Sequence, residues 1–516
     1  MGMFSGCRGT QDLPTSSPDR VGILLRQWWK EGTAAGNVGD WYDNRDDGHS
    51  DLDTTSWPQL RRVVYSWADI LQHRNYGPQT TVLPVVVFGN SSTADEPSRG
   101  GSNPNYYYLS WNEGVSFLER QYRANNLYVY PEHHDHDPGH NGSPDGYGDL
   151  FATNTPYLII AQGSSRSDQP FIHALPNVLA AFHPDVKKTL VENGMLMPTI
   201  QWLLRTTNRE LADPSAYLTG RAHPTVFDGR NIDEVALVQK AHALTRETIP
   251  PLVRLRVIEE QEPRSGVDYF DPGLTERLAD SSSVIARVFR GRARVRRLVV
   301  SAEDSWDLNH QPLTFRWVVL RGAEDEIGIA PQNEAGSIAE LLIGWQPRRP
   351  TAAHSPLESN RVDIGVFASN GVNYSPPAFV TLLTLDNEIR RYDSRGRLAE
   401  IVYHQGNFTD PRLTYPKRWR DLYHYDAQGR CVGWTRYQGN EQHAFNFDGN
   451  LVVARDALGR TAQARRGRYE QAPYSGAGSN PNDLTFVPGD EVVTYAFAGD
   501  DDVIGHVSAT LRDPAK

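Results

Sequence analysis

A chain of 516 residues is too long for one ordinary core, and three or four domains are expected. The formal net charge of -11 argues against binding nucleic acid by phosphate neutralisation, and the sequence has no run of about 18 apolar residues to span a membrane. Two cysteines, Cys7 and Cys431, suggest neither a disulfide framework nor a cysteine-ligated zinc site, while 39% hydrophobic and 10% aromatic residues suffice for globular cores.

Residues 1–20 are polar, hold Gly, Pro and Ser, and read as a tail. Within them Phe4-Ser5-Gly6-Cys7 resembles the end of a bacterial lipoprotein cleavage site, without the apolar stretch that should precede it. Val21–Trp29 reads as a short helix. An acidic loop follows, with Asp40, Asp43, Asp46, Asp47 and His49 around Trp41. Clustered carboxylates can hold Ca²⁺, or act as acid and base when burial moves their pKa values apart; plain turns use the same residues. The loop fails the EF-hand pattern because Arg45 and Thr54 fall at ligand positions. Asp-rich loops with an Asn resemble the calcium-binding strand end of nucleoside hydrolases. There the acids follow a β-branched strand; here Gly36-Asn37-Val38-Gly39 precedes them.

Thr81–Phe88 is a β-branched run that reads as a buried strand and ends in Gly89-Asn90-Ser91-Ser92. The design repeats at Tyr157–Ala161, which feeds Gly163-Ser164-Ser165-Arg166-Ser167-Asp168. Two such turns predict an α/β sheet whose strand ends meet at one crevice, where open α/β sheets bind ligands. Asn90, Ser91, Ser164 and Ser165, with Trp41, are therefore candidates for substrate contact. Asp168 joins Asp43, Asp46 and His49 as a catalytic candidate. Gly-x-Ser-x-Gly is absent, so no nucleophile elbow is expected, and a capped helix start is the plain alternative. Between the two turns lies Pro131-Glu132-His133-His134-Asp135-His136-Asp137-Pro138-Gly139-His140. His133, His134, His136 and His140, with Asp40 and Asp47, are the candidate ligands of a divalent metal, Ca or Zn; a solvated loop is the alternative. No His-Glu-x-x-His motif is present.

Helices are predicted after Asp168, over 186–193 with Gly194 as the stop, over 198–211, and from a capping box at Asn231 to about Thr245. His223 and Asp228, between them, could complete a site from across the fold. Val284–Val300 predicts one alternating strand with Arg290, Arg292, Arg294 and Arg296 on a solvated face.

Ser301-Ala302-Glu303-Asp304-Ser305-Trp306-Asp307, then Leu313-Thr314-Phe315-Arg316-Trp317, resembles PKD-type immunoglobulin-like domains over about 283–385. The resemblance implies a β-sandwich with Trp317 as its buried aromatic. Tyr392-Asp393-Ser394-Arg395-Gly396-Arg397 and Tyr425-Asp426-Ala427-Gln428-Gly429-Arg430, with a degenerate copy at 455–460, resemble the YD repeats of bacterial RHS-type surface proteins over about 386–470. In such a unit Asp and Gly make a hairpin turn.

The fold expected is multidomain: a tail (1–20), an α/β domain expected to carry the catalysis (21–275), an Ig-like PKD-type β-sandwich (276–385) and a β-rich YD-repeat segment (386–516). Appended modules of this style imply an exported bacterial protein, secreted, periplasmic or at the cell surface. The expected function is a hydrolase acting on a glycan or glycoside, carboxylate- and metal-assisted. The alternative is a non-enzymatic carbohydrate-binding or adhesion protein with structural calcium. Either way the expected partner is a carbohydrate polymer or glycoside.

Overall fold

A computed structural model describes residues 13–42, 50–63, 86–90, 114–138, 148–211, 213–404, 412–471 and 483–513, with the backbone alone for Asp40, Tyr42 and Val63. The protein is multidomain and rich in β-structure, with several sheets and a few helices.

Five short strands, β1 (Gly39–Tyr42), β2 (Leu60–Val63), β3 (Val87–Asn90), β4 (Asn126–Pro131) and β5 (Leu158–Ala161), form one parallel sheet in the order β2-β1-β3-β4-β5. The last three are buried at every position, as expected of apolar runs such as Leu158-Ile159-Ile160-Ala161 that have no polar face. The strand order reverses between β1 and β3, and all strand ends share one carboxyl edge. Gly39–Tyr42 is thus itself the strand that precedes the acidic loop. Trp41 is wholly buried, its ring centroid 5.6 Å from that of Phe88. It is a core residue, and the expected substrate contact does not hold for it.

Six helices are described: α1 (Arg20–Glu31), α2 (Gly114–Arg123), α3 (Gln169–Ala181), α4 (Pro184–Glu192), α5 (Leu196–Thr206) and α6 (Glu234–Ala243). α3 carries Pro in its first turn and is buried along almost its whole length. α6 starts from Asp233, whose carboxylate accepts from the Ala236 N–H; Asn231 instead closes a 3-10 turn. α5 ends before the predicted Leu211, where Thr206 and Thr207 turn their hydroxyls back onto the Leu203 carbonyl.

Residues 256–384 form two facing sheets. One has the strands 314–321, 361–369, 378–384, 284–289 and 277–281; the other has 327–331, 338–344, 295–301 and 256–260. Alternate residues Val362, Ile364, Val366 and Ala368 point into the core the sheets share with Leu298, Val300, Leu341 and Ile343. Phe367, on the opposite face of its strand, joins the core of the α/β unit. That strand is therefore sandwiched on both faces, which is why Arg361–Ala368 is buried without alternation. Trp317 is only half-buried and sits at the rim of the shared core, its indole N–H donating to the Gly336 carbonyl at 2.8 Å. The segment 284–300 is two strands in different sheets, and its arginines are paired: Arg290 with Asp271 (3.7 Å), Arg292 with Asp268 (2.7 Å), Arg294 with Glu326 (3.0 Å) and Arg296 with Glu276 (2.6 Å). Burial of Arg290 and Arg296 replaces the expected solvated face.

Residues 388–512 form a nine-stranded antiparallel sheet whose strands follow chain order. Each Asp-x-x-Gly-Arg unit is one hairpin turn. The Gly396, Gly429 and Gly459 N–H groups donate to the Asp393, Asp426 and Asp456 carbonyls, and Arg397, Arg430 and Arg460 each close the turn on the Asp carboxylate at 2.7 Å. Phe270 inserts beneath this sheet among Tyr403, Trp419, Trp434 and Tyr469.

The α/β unit and the sandwich meet at four buried charges. Asp149 accepts from Arg361 at 3.0 Å and from Arg321; Arg361 also binds Asp363 at 2.8 Å, and Arg321 lies 4.0 Å from Asp363. Gly148, at φ 69°, lets the chain pass the Glu358 carbonyl, to which Asp149 N–H donates at 2.9 Å. Asp149→Ala leaves two buried guanidinium groups facing one carboxylate and is expected to destabilise by ~3–5 kcal/mol. Breaking the exposed Arg230–Asp228 pair by Arg230→Ala should change nothing measurable. Thermal melts of the two variants check this, and an unshifted Asp149→Ala transition would show that the cluster does not hold the units together.

Candidate functional site

The carboxyl edge of the parallel sheet is built from the residues just after each strand. β3 ends in Asn90, whose amide donates to the Ser50 carbonyl, and the Ser50 hydroxyl donates to the buried Asp168 carboxylate. Gln169 clamps the next residue from both sides: its Nε2 donates to the Asp51 carbonyl at 2.6 Å and its Oε1 accepts from Asp51 N–H at 3.2 Å. The chain emerging from the acidic loop is thus stitched to the end of β3 and the start of α3. Asn90 and Asp168 are linked there through Ser50, with the Asn90 amide in a scaffolding bond.

At the next strand pair, Glu132 follows β4 and is fully buried. It accepts from the Gly163 N–H at 2.9 Å, the His136 N–H at 3.2 Å and Gln162 Nε2 at 3.2 Å. Gly163 stands at φ 112°, a conformation that glycine alone adopts readily, and this turn after β5 aims its N–H at the carboxylate. Gln162 Nε2 also donates to Asp137 Oδ1 at 2.6 Å, so one amide nitrogen joins two carboxyl groups. Burial, then the negative charge of Asp137, pushes the Glu132 pKa up to about 7. Asp137 is the half-exposed member of the pair, and its other oxygen lies 3.3 Å from His134 Nδ1. A line of polar groups therefore runs from exposed His134 through Asp137 and Gln162 to buried Glu132.

The loop that carries these groups is strained. His133 and His134 both adopt left-handed backbone, at φ 47° and 73°. It is held by the Leu150 N–H donating to the Asp135 carbonyl at 2.7 Å and by His136, whose Nδ1 lies 3.6 Å from Asp149. Burial, with Arg321 and Arg361 nearby, pushes the His136 pKa down to about 3, so its imidazole is neutral. Among the described residues no group of three or more His, Cys, Asp or Glu side chains is arranged to hold a metal ion. Ser164 and Ser165 are exposed at the tip of the turn after β5. Asp43, Asp46, Asp47, His49, Ser91 and His140 lie outside the described residues. His223 is buried, its Nε2 2.5 Å from the Tyr217 carbonyl. Asp228 caps a 3-10 turn and directly follows Phe227, which bridges Ala161 in parallel, so it stands at the carboxyl end of β5 beside Gln162.

Glu132 and Gln162 escape a reading based on motifs. The available signal is positional: a Glu and a Gln each stand immediately after an apolar strand, where a parallel sheet gathers its ligands.

Because Glu132 holds its proton more tightly in the folded chain than in the unfolded one, the folded state binds more protons from the ordinary Glu range up to about pH 7. Stability should fall as pH rises through that window and level off above it. Glu132→Gln removes this slope. Thermal melts at acidic and alkaline pH should show the variant gaining on the wild type at alkaline pH, and an identical pH dependence would refute the raised pKa of Glu132.

No family model and no curated protein match the chain. A solved structure of a nucleoside hydrolase-related hypothetical protein from Saccharophagus degradans, associated with carbohydrate metabolism, aligns with 58% of this chain and 71% of its own at 12% identity, with a TM-score of 0.19.

Proposed function

We propose that the protein is a hydrolase of a glycan or glycoside and that the carboxyl edge of the parallel sheet is its active site. The observation that carries this reading is the Glu132–Asp137 pair, two carboxyl groups bridged by Gln162, one fully buried with its pKa pushed up to about 7 and one half-exposed. Glycosidic bonds break when a carboxylic acid protonates the leaving oxygen while a second carboxylate assists attack. In this reading the pair shares one proton, which rests on Glu132 beside an ionised Asp137 and passes to Asp137 as that group, facing the substrate, protonates the leaving oxygen. Glu132 is a positioning residue that keeps a proton available near neutral pH. Asp168, buried at the same edge, would be a ligand for a divalent cation in this reading. The resemblances of 283–385 and 386–470 to PKD-type and RHS-type modules support a substrate outside the cell.

The test is hydrolysis of a panel of aryl glycosides and polysaccharides. Asp137→Asn should lower kcat by about 10²–10⁴-fold with KM little changed. Wild-type turnover should fall as pH rises above about 7, and Glu132→Gln should remove that alkaline limb. Full activity in Asp137→Asn, or a pH profile untouched by Glu132→Gln, would sink the assignment.

A further inference from the structure

A cleft lies where the helical part of the α/β unit meets the sandwich. α5, α6, the 3-10 turn Pro214–Leu218 and the loop 372–374 enclose about 560 Å³, with Trp202, Leu211, Asp213, Lys240, Asn373 and Tyr374 among the lining. Lys240 is the single cation of that lining. Its ammonium stands 4.4 Å from the centroid of the Trp202 ring. Burial alone acts on the amine, pushing its pKa down to about 8, and no carboxylate among the described residues offsets it. A half-buried ammonium without an anion is unfavourable in a free protein and is relieved when a ligand brings one.

The rest of the wall narrows the ligand. Asn373 uses its amide nitrogen on the Thr248 carbonyl at 2.7 Å, which leaves its amide oxygen as an acceptor. Asp213 adds a second acceptor at the exposed rim. Leu211, Val372 and Tyr374 supply apolar surface. A carboxylate for Lys240, hydroxyl donors for Asn373 and Asp213, and a C–H face for the apolar wall coincide in an acidic sugar. We infer that this cleft binds a uronate residue of a saccharide, its carboxylate on Lys240 and its hydroxyls on Asn373 and Asp213. The ligand class rests on the glycan reading above, while the anion requirement rests on Lys240 itself.

Calorimetric titration of the full chain with an oligogalacturonate, a neutral oligosaccharide of equal length and acetate tests the site. The uronate oligomer should bind the wild type, weaken by about tenfold or more in Lys240→Gln and be retained in Lys240→Arg, as loss of one charge-assisted hydrogen bond requires. The neutral oligomer should not distinguish wild type from Lys240→Gln. Uronate binding that is absent, or equal in Lys240→Gln, overturns the inference; acetate binding as tightly as the oligomer overturns its saccharide part. Repeating the titration in Asp137→Asn separates the two readings. Lys240-dependent binding there stands even if hydrolysis is never found, and hydrolysis of neutral glycans without uronate binding removes this site alone.

Discussion

The arrangement depends most on one buried, charge-balanced cluster: Asp149 and Asp363 against Arg321 and Arg361. Two anions and two cations taken from water together must satisfy one another, because each alone would carry a desolvation penalty of several kcal/mol. Arg361 completes the arrangement by donating to the Phe151 carbonyl and the Thr225 hydroxyl. Such a cluster tolerates only one docking of the sandwich on the α/β unit. Apolar burial around it, with Phe367 between Tyr217 and His223, contributes area without that directional demand.

The cluster also reaches the candidate site. Asp149 faces His136, and its neighbour Leu150 bonds the Asp135 carbonyl, so the interface props the loop that holds Glu132 and Asp137. Two successive left-handed histidines persist there because bonds at both ends of the loop over-determine its path. Burial and crowding of carboxyl groups at the same point raise the pKa of Glu132, so strain, support and altered acidity coincide at one strand end.

The nine-stranded sheet is held by different means. Its turns are self-contained, each Asp carboxylate receiving the N–H and guanidinium of the Arg four residues on. Its inner face is ordered by Phe270 and by Arg436, which binds Asp421 through two bonds of 2.8 and 2.7 Å while lying 3.9 Å from the Trp419 ring centroid. Arginine suits this place because its planar fork pairs and stacks at once.

Features governed by neighbours in the chain were legible in the amino-acid order. The helix after Asp168, the stop at Gly194 and the Asp-x-x-Gly-Arg turns follow from caps, glycine conformations and bonds spanning four residues. The strand ends at Asn90 and Ala161 were legible as well, since each closes an apolar run of the kind a buried strand carries. Tertiary structure alone decided that Trp41 fills the core, that Arg290 and Arg296 are buried with acidic partners, and that Arg361 bonds Phe151, 210 residues away. It also decided that Glu132, one acid among several in a polar loop, is fully buried with its pKa pushed up. Burial and the field of other charges are properties of packing, and residues distant in the chain set them; local order records the residue types but not what surrounds them.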